Sequence, residues 1–427
     1  MNIVKNINWR IALIILLLGS LSSPYISGKY HVYVGFVPLL SLLTIILFSG
    51  PVGNFFLRII KVNYKNNRYI LFALLWFAFG FGLNYLLRGA NDRGYLIETF
   101  VMPAYFFLGL FIIQLEQYKR FAVLTVIMFI FFNIVLAGES INANTSARLI
   151  YSESNHKLLA ISTGFWGLIG IFFPIFLLEA LKQKKLIFKF GILFILVFSL
   201  IKLFFSGIAT PILLFLINLF LIGILYFLFN LKNINQLVKS ILVILTFVGA
   251  SYYLYDFIRN SSLPALAPVK WRVTNLINNP EAGGYSGNSA AGSRFILMKF
   301  SWDTFIHHPF FGGGGNIRTS IYQGISGGHS SAIDFLAVLG LLGGGGAFLY
   351  MMFRIFKRTF LQMKSSKTFT DICHFATVVT FVIGGIMNPY WQGPLLATFL
   401  LIVNIYKQPK LRTRKLHEQH SNLTYLP

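Results

Sequence analysis

Acidic residues are the scarcest feature of this chain, which holds 12 Asp and Glu against 36 Lys and Arg in 427 residues. All charged residues together make up 11% of it, well under the quarter or so usual in soluble domains. That shortage excludes a water-soluble globular protein. Cysteine is nearly missing as well. A single thiol, Cys373, rules out a disulfide framework, and its place inside an apolar run fits a small core residue. The glycine run at 312–315 is followed by Asn316, Ile317 and Arg318 instead of Gly-Lys-Ser/Thr, which excludes a phosphate-binding P-loop. The histidines do not fall at metal-ligand spacing either, since His307 and His308 are adjacent and diverge on a helix, and the next is His329. Neither a metal nor a cofactor is expected.

Apolar residues are what the chain has in excess: 56% are hydrophobic, 17% are aromatic, and the mean hydropathy is +0.70. A membrane span takes about 20 apolar residues. Twelve runs approach that length, centred near residues 18, 41, 78, 105, 129, 169, 196, 220, 248, 342, 380 and 398. Their unbroken hydrophobicity argues for helices over a barrel. The expected fold is therefore an all-α polytopic membrane protein of about twelve transmembrane helices. The first run, Ile11 to Leu21, looks like the core of a signal peptide, but Pro24 and Tyr25 follow it without a small-x-small cleavage site, so a retained span is expected.

The formal net charge of +24 is spread over the ends of spans, not gathered in one patch, which argues against nucleic acid as a partner. If both termini are cytoplasmic, 24 of the 36 basic residues fall on the inner side, in clusters such as Lys182 to Lys189, Arg354 to Lys367 and Lys407 to Lys415. The positive-inside rule favours that orientation. Four regions follow: spans one to nine over 1–257, a large, partly helical external loop over 258–330, spans ten to twelve over 331–406, and a basic cytoplasmic tail over 407–427. The twelve remaining basic residues lie outside, where acids are few; they include Arg148, Lys202, Arg272, Arg294 and Arg318. Guanidinium groups in surplus suit an anionic ligand, because they pair with phosphate through two hydrogen bonds and keep their charge. Anchoring to phospholipid headgroups is the alternative. Lys202, at the outer end of the seventh span, fits either snorkelling to the surface or a place in an outer cavity.

The external loop opens with turn chemistry at Ser261 to Pro264 and at Asn278 to Gly284. Order returns from Ser293 to Ile306, where apolar residues recur at helical spacing, with Ser293 as N-cap and Arg294 in the first turn. This segment is expected to be an amphipathic helix on the membrane surface or over the spans. Pro309 ends it, and Gly312 to Gly315 are expected to form a flexible turn. His329 then stands at the outer mouth of the tenth span, followed by Ser330, Ser331 and Asp334. An imidazole there suits a general base for a sugar hydroxyl, and equally an interfacial histidine without chemistry. Gly340 and Gly344, at small-xxx-small spacing, fit close helix packing.

Taken in order, Gly292-Ser293-Arg294, Trp302, His308-Pro309-Phe310-Phe311-Gly312, His329 to Asp334 and Leu339 to Gly343 resemble the signature of the O-antigen polymerase and O-antigen ligase superfamily. The expected topology, with its large external loop before the last three spans, resembles that superfamily too. The resemblance implies an inverting, metal-independent glycosyltransferase of the bacterial cytoplasmic membrane. Its partners would be an isoprenoid-diphosphate-linked glycan donor, a glycan acceptor and membrane lipids, with flippase and chain-length regulator proteins beside it. By the same comparison Arg294 holds the diphosphate and His329 positions or deprotonates the acceptor hydroxyl. Arg148 with Asn155 and Ala160 resembles the family's Arg-to-Asn stretch, and Arg272, Arg318 and Asp334 complete the expected substrate-binding set. One departure is clear. Where the family commonly carries a Ser-Arg pair, this chain reads Ser206-Gly207-Ile208-Ala209-Thr210-Pro211, and only Lys202 is near enough in sequence to replace the charge. Polymerase and ligase share this chemistry; the Gly-Gly-His-Ser-Ser form is closer to polymerases, and the ligase stands as the alternative. A transporter or flippase is the rival from another class, but no six-plus-six repeat is visible.

Overall fold

The computed structural model describes residues 119–138, 163–230, most of 252–270, 290–313 and 330–388, with a few single positions besides. The runs expected as spans near 18, 41, 78, 105 and 398 lie outside the described residues, as do Arg148, Asn155, Arg272, Arg318 and His329. Every regular element among the described residues is helical. In chain order these are α1 (Lys119–Gly138), α2 (Thr163–Leu181), α3 (Leu186–Phe205), α4 (Ala209–Asn230), α5 (Ala290–His307), α6 (Ser331–Leu339), α7 (Gly346–Ser366) and α8 (Phe369–Met387).

Three of these, α3, α4 and α8, are long and apolar enough to cross a membrane. At 1.5 Å per residue, the 20 residues of α3 reach about 30 Å, the thickness of a hydrocarbon layer. The outward face of α3 is apolar: Ile187 is 78% exposed, and Phe190 and Phe194 are exposed beside it. In water such a face would drive aggregation. In lipid it is the face that costs nothing to leave uncovered. Inside the bundle the polar groups are few and mostly satisfied locally. Ser199, Thr377 and Thr380 donate to the carbonyls of Ile195, Cys373 and Ala376 one turn back, at 2.7 to 2.9 Å. Asn218 instead reaches across, its Nδ2 donating to Ile171 O of α2 at 2.6 Å. Close approach of α2 and α4 also depends on Gly170, where a Cβ would lie 2.4 Å from Pro211 O.

The two ends of the bundle differ in the residues they carry. At one end Leu178 of α2, Ile222 of α4, Met363 of α7 and Ile372 and Phe375 of α8 pack together. There α2, α4 and α7 finish and α8 begins, so α8 runs opposite to the other three. The same end carries Lys182, Lys184, Lys185, Lys364 and Lys367. The opposite end collects the α3–α4 turn, the start of α6 and the finish of α8 at Asn388, where serine and asparagine stand beside Lys202.

The run expected as a single tenth span is broken. α6 ends at Gly340 (φ 66°), and after a π-helical turn over Leu341–Gly345, with Gly344 at φ 123°, α7 starts in a new direction. The Phe335 and Phe348 rings are stacked 4.5 Å apart, although a straight helix would separate residues 13 apart by about 20 Å. So α6 folds back over the beginning of α7. Five glycines between 340 and 346 permit the bend; apolarity alone had made the run look continuous. Gly340 does pack closely, but against a turn and not a helix: a Cβ there would lie 2.4 Å from Gly312 N and 2.5 Å from the Phe310 carbonyl.

Candidate functional site

The site is built on a pair of helices, α5 and α6, which lie side by side and run in the same direction. Ser301 of α5 donates from Oγ to Asp334 Oδ1 of α6 at 2.7 Å, and both residues are buried. Further along, Leu341 N donates to Pro309 O at 2.8 Å and Leu342 N to Phe310 O at 2.7 Å. Residue 301 therefore pairs with 334 and residue 309 with 341, offsets of 33 and 32 that have the two segments running in parallel. After Phe310 the chain reverses, and Gly313 N donates to Ala337 O at 2.6 Å. The reversal requires Gly312, which has φ 68° and whose Cβ would lie 2.3 Å from the Val338 carbonyl. The flexible turn expected over Gly312 to Gly315 is thus, at Gly312, a buried and fixed docking point, because the neighbouring backbone leaves space only for hydrogen. Gly314 and Gly315 lie outside the described residues.

α5 begins at Ala290, so Ser293 is its fourth residue and not its N-cap, and Arg294 falls in the second turn. Two alanines, Ala290 and Ala291, extend the helix backward because alanine costs least in a helix. Arg294 precedes Ser301 by seven residues, which at 100° per residue returns it to the same face. That face is the one turned to α6. Along α5, Arg294 lies about 10 Å from Ser301 toward the N-terminal end of the helix.

The start of α6 is fixed from three sides. Asp334 accepts from Ser330 N at 3.2 Å through the oxygen that Ser301 does not use. Ser330 is the N-cap, its Oγ accepting from Ile333 N at 3.5 Å. Ser331 ties the turn to the end of α8: its Oγ donates to Asn388 O at 3.4 Å and accepts from Trp391 N at 2.9 Å. Asp334, expected to bind substrate, is 6% exposed with both carboxylate oxygens engaged by protein groups. Its visible work is to hold α5 and α6 together. Ser301 and Asn388 were not singled out from the sequence, and Ser331 was named there only beside His329. The available signal was helical phase, because Ser301 is the polar residue in step with Arg294 on an otherwise apolar helix.

Lys202 sits in the last turn of α3, half-buried, with its ammonium 5.6 Å from the centroid of Phe198. It folds back along its own helix over an aromatic face. The stretch that departs from the family pattern is a tight turn: Ser206 Oγ donates to Leu203 O at 2.7 Å and accepts from Ile208 N at 3.3 Å, and Gly207 takes φ 70°. Among the described residues no group of three or more His, Cys, Asp or Glu is placed to hold a metal ion.

No protein-family model matches the chain, and no curated protein sequence matches it significantly.

Proposed function

We propose that this chain is a glycosyltransferase of the cytoplasmic membrane that joins isoprenoid-diphosphate-linked repeat units into a polysaccharide on the outer face. The observation that carries the proposal is the parallel pairing of α5, the helix that bears Arg294, with α6, the helix that follows His329 in sequence. The family-like order of Arg294, Trp302, His308-Pro309 and His329 supports it, as do apolar helices of spanning length. So does the concentration of lysines at the opposite end of the bundle, which by the positive-inside rule is the cytoplasmic one.

In the proposed reaction an acceptor sugar hydroxyl attacks the anomeric carbon of the lipid-linked glycan from the side opposite the diphosphate. A carbon–oxygen bond forms to the acceptor, and the bond to the diphosphate breaks with its electron pair leaving on phosphate oxygen. The hydroxyl proton passes to the His329 imidazole. Arg294 answers the charge growing on the departing diphosphate. The diphosphate is a good leaving group, so alignment and proton removal supply what the reaction lacks. Polymerase and ligase would share these steps and differ in the acceptor; the Gly327-Gly328-His329-Ser330-Ser331 sequence favours the polymerase by its resemblance.

The test is genetic. In a strain lacking the chain, Arg294→Ala or His329→Ala expressed at wild-type level should leave single repeat units accumulating on the lipid carrier. Normal chain-length ladders from both variants would refute the assignment.

A further inference from the structure

We propose that Ser301 and Asp334 are positioning residues: their buried hydrogen bond sets α5, the helix that carries Arg294, in register with α6. The proposal rests on the functional reading above for its catalytic consequence, but the register itself does not depend on it. The bond is short, at 2.7 Å, and spans 33 residues of sequence. Asp334 has two oxygens and uses them for two elements, one on Ser301 of α5 and the other on Ser330 N at the head of its own helix. One carboxylate therefore fixes both the phase of the helix that carries Arg294 and the turn into which His329 leads.

Trp302, Ile306 and Phe310 are 44%, 55% and 61% exposed, and Leu297, Met298 and Phe305 are only partly buried. The buried residue at the contact is Ser301 itself, at 0% exposure. At the far end the close approach of Gly312 to Val338 and of Gly340 to Phe310 anchors the turn. That anchor lies beyond the C-terminal end of α5, whereas Arg294 lies about 10 Å from Ser301 toward the N-terminal end. A helix held at one end only swings most at the other. Ser301–Asp334 is a side-chain bond between the anchor and Arg294, and without it a small rotation about the anchor moves Arg294 by ångströms.

The expected signature is a loss in turnover without a matching loss in binding. Ser301→Ala should lower kcat about tenfold to a hundredfold while the donor KM stays within about twofold, since misplacement near 1 Å costs on that scale. Ser301→Thr, which keeps the hydroxyl, should recover kcat to within about threefold. Register is read separately, by distance measurement between spin labels at Asp303→Cys on α5 and Ile386→Cys on α8, both exposed, in a Cys373→Ser background. The purified full chain in lipid nanodiscs should give a narrow distribution, broadened by Ser301→Ala and by Asp334→Asn, and narrow again in Ser301→Thr. Unchanged distances in Ser301→Ala overturn the proposal. So does a broadened distribution with full turnover, or a Ser301→Thr variant that recovers neither. If the unaltered protein forms no glycosidic bond from a lipid-diphosphate oligosaccharide, the functional reading falls, while the distance measurement still decides the register.

Discussion

Two glycines decide whether the α5–α6 pair can form, and each meets backbone where a side chain would begin. Gly312 and Gly340 both take φ near 67° and each would place a Cβ within 2.5 Å of main-chain atoms of the other's segment. An alanine at either site incurs the left-handed penalty of about 1 to 2 kcal/mol and must also displace the opposing strand of chain. Gly312→Ala and Gly340→Ala should therefore lower the thermal midpoint of the purified protein by several degrees. Gly191→Ala is the matched control. Gly191 lies within α3 with nothing within 4 Å of a built Cβ, so alanine there should be neutral or stabilising by up to about 1 kcal/mol. Equal losses at all three sites would contradict the docking role of Gly312 and Gly340. The sequence marks these residues as glycine but not as fixed, because a run such as Gly312 to Gly315 reads as a flexible linker until the chain it packs against is known.

The helices themselves were legible at the level of elements, and for a physical reason. A span in lipid must satisfy its own backbone and present apolar side chains outward, so α1, α2, α3, α4 and α8 coincide with runs visible as near-uniform apolar segments. The fold-back of α6 onto α7 was not legible, since it depends on backbone angles at Gly340 and Gly344 that tertiary packing selects. The pairing of Ser301 with Asp334 was hidden for a related reason: two short polar side chains far apart in sequence leave no periodic trace. The α7–α8 connection shows local chemistry at work. Lys367 takes a left-handed conformation after α7, and Thr368 caps α8, its Oγ1 accepting from Asp371 N at 3.2 Å. The Asp371 carboxylate in turn accepts from Gln362 Nε2 at 2.6 Å, closing the turn onto α7. Thr368→Ala should cost about 1 kcal/mol in an unfolding titration, and Thr368→Ser only a few tenths. A threonine that could be replaced by alanine without loss would show that helix packing alone sets this turn.

Across the whole molecule, the two ends of the bundle differ in chemistry, and that difference orients the proposed reaction. Lysines mark the end where α2 and α7 finish, and the Ser331, Asn388 and Asp334 network marks the other. Orientation is open to labelling in intact cells. In a Cys373→Ser background, a membrane-impermeant thiol reagent should modify Asp303→Cys and leave Lys184→Cys unmodified until the membrane is opened, both positions being exposed. Reversed labelling would place the α5–α6 pair in the cytoplasm, where an outer-face polymerase could not work. The candidate site was legible only in part: Arg294 and His329 stood out by motif, whereas the pairing of α5 with α6 needed the fold. The most direct measurement of the central claim is product length from purified protein in proteoliposomes supplied with one lipid-diphosphate-linked repeat unit as the sole glycan. The account predicts products growing by whole repeat units, with Arg294→Ala and His329→Ala reduced by about a hundredfold or more. Translocation of the unit without any new glycosidic bond, or equal ladders from all three proteins, would contradict it.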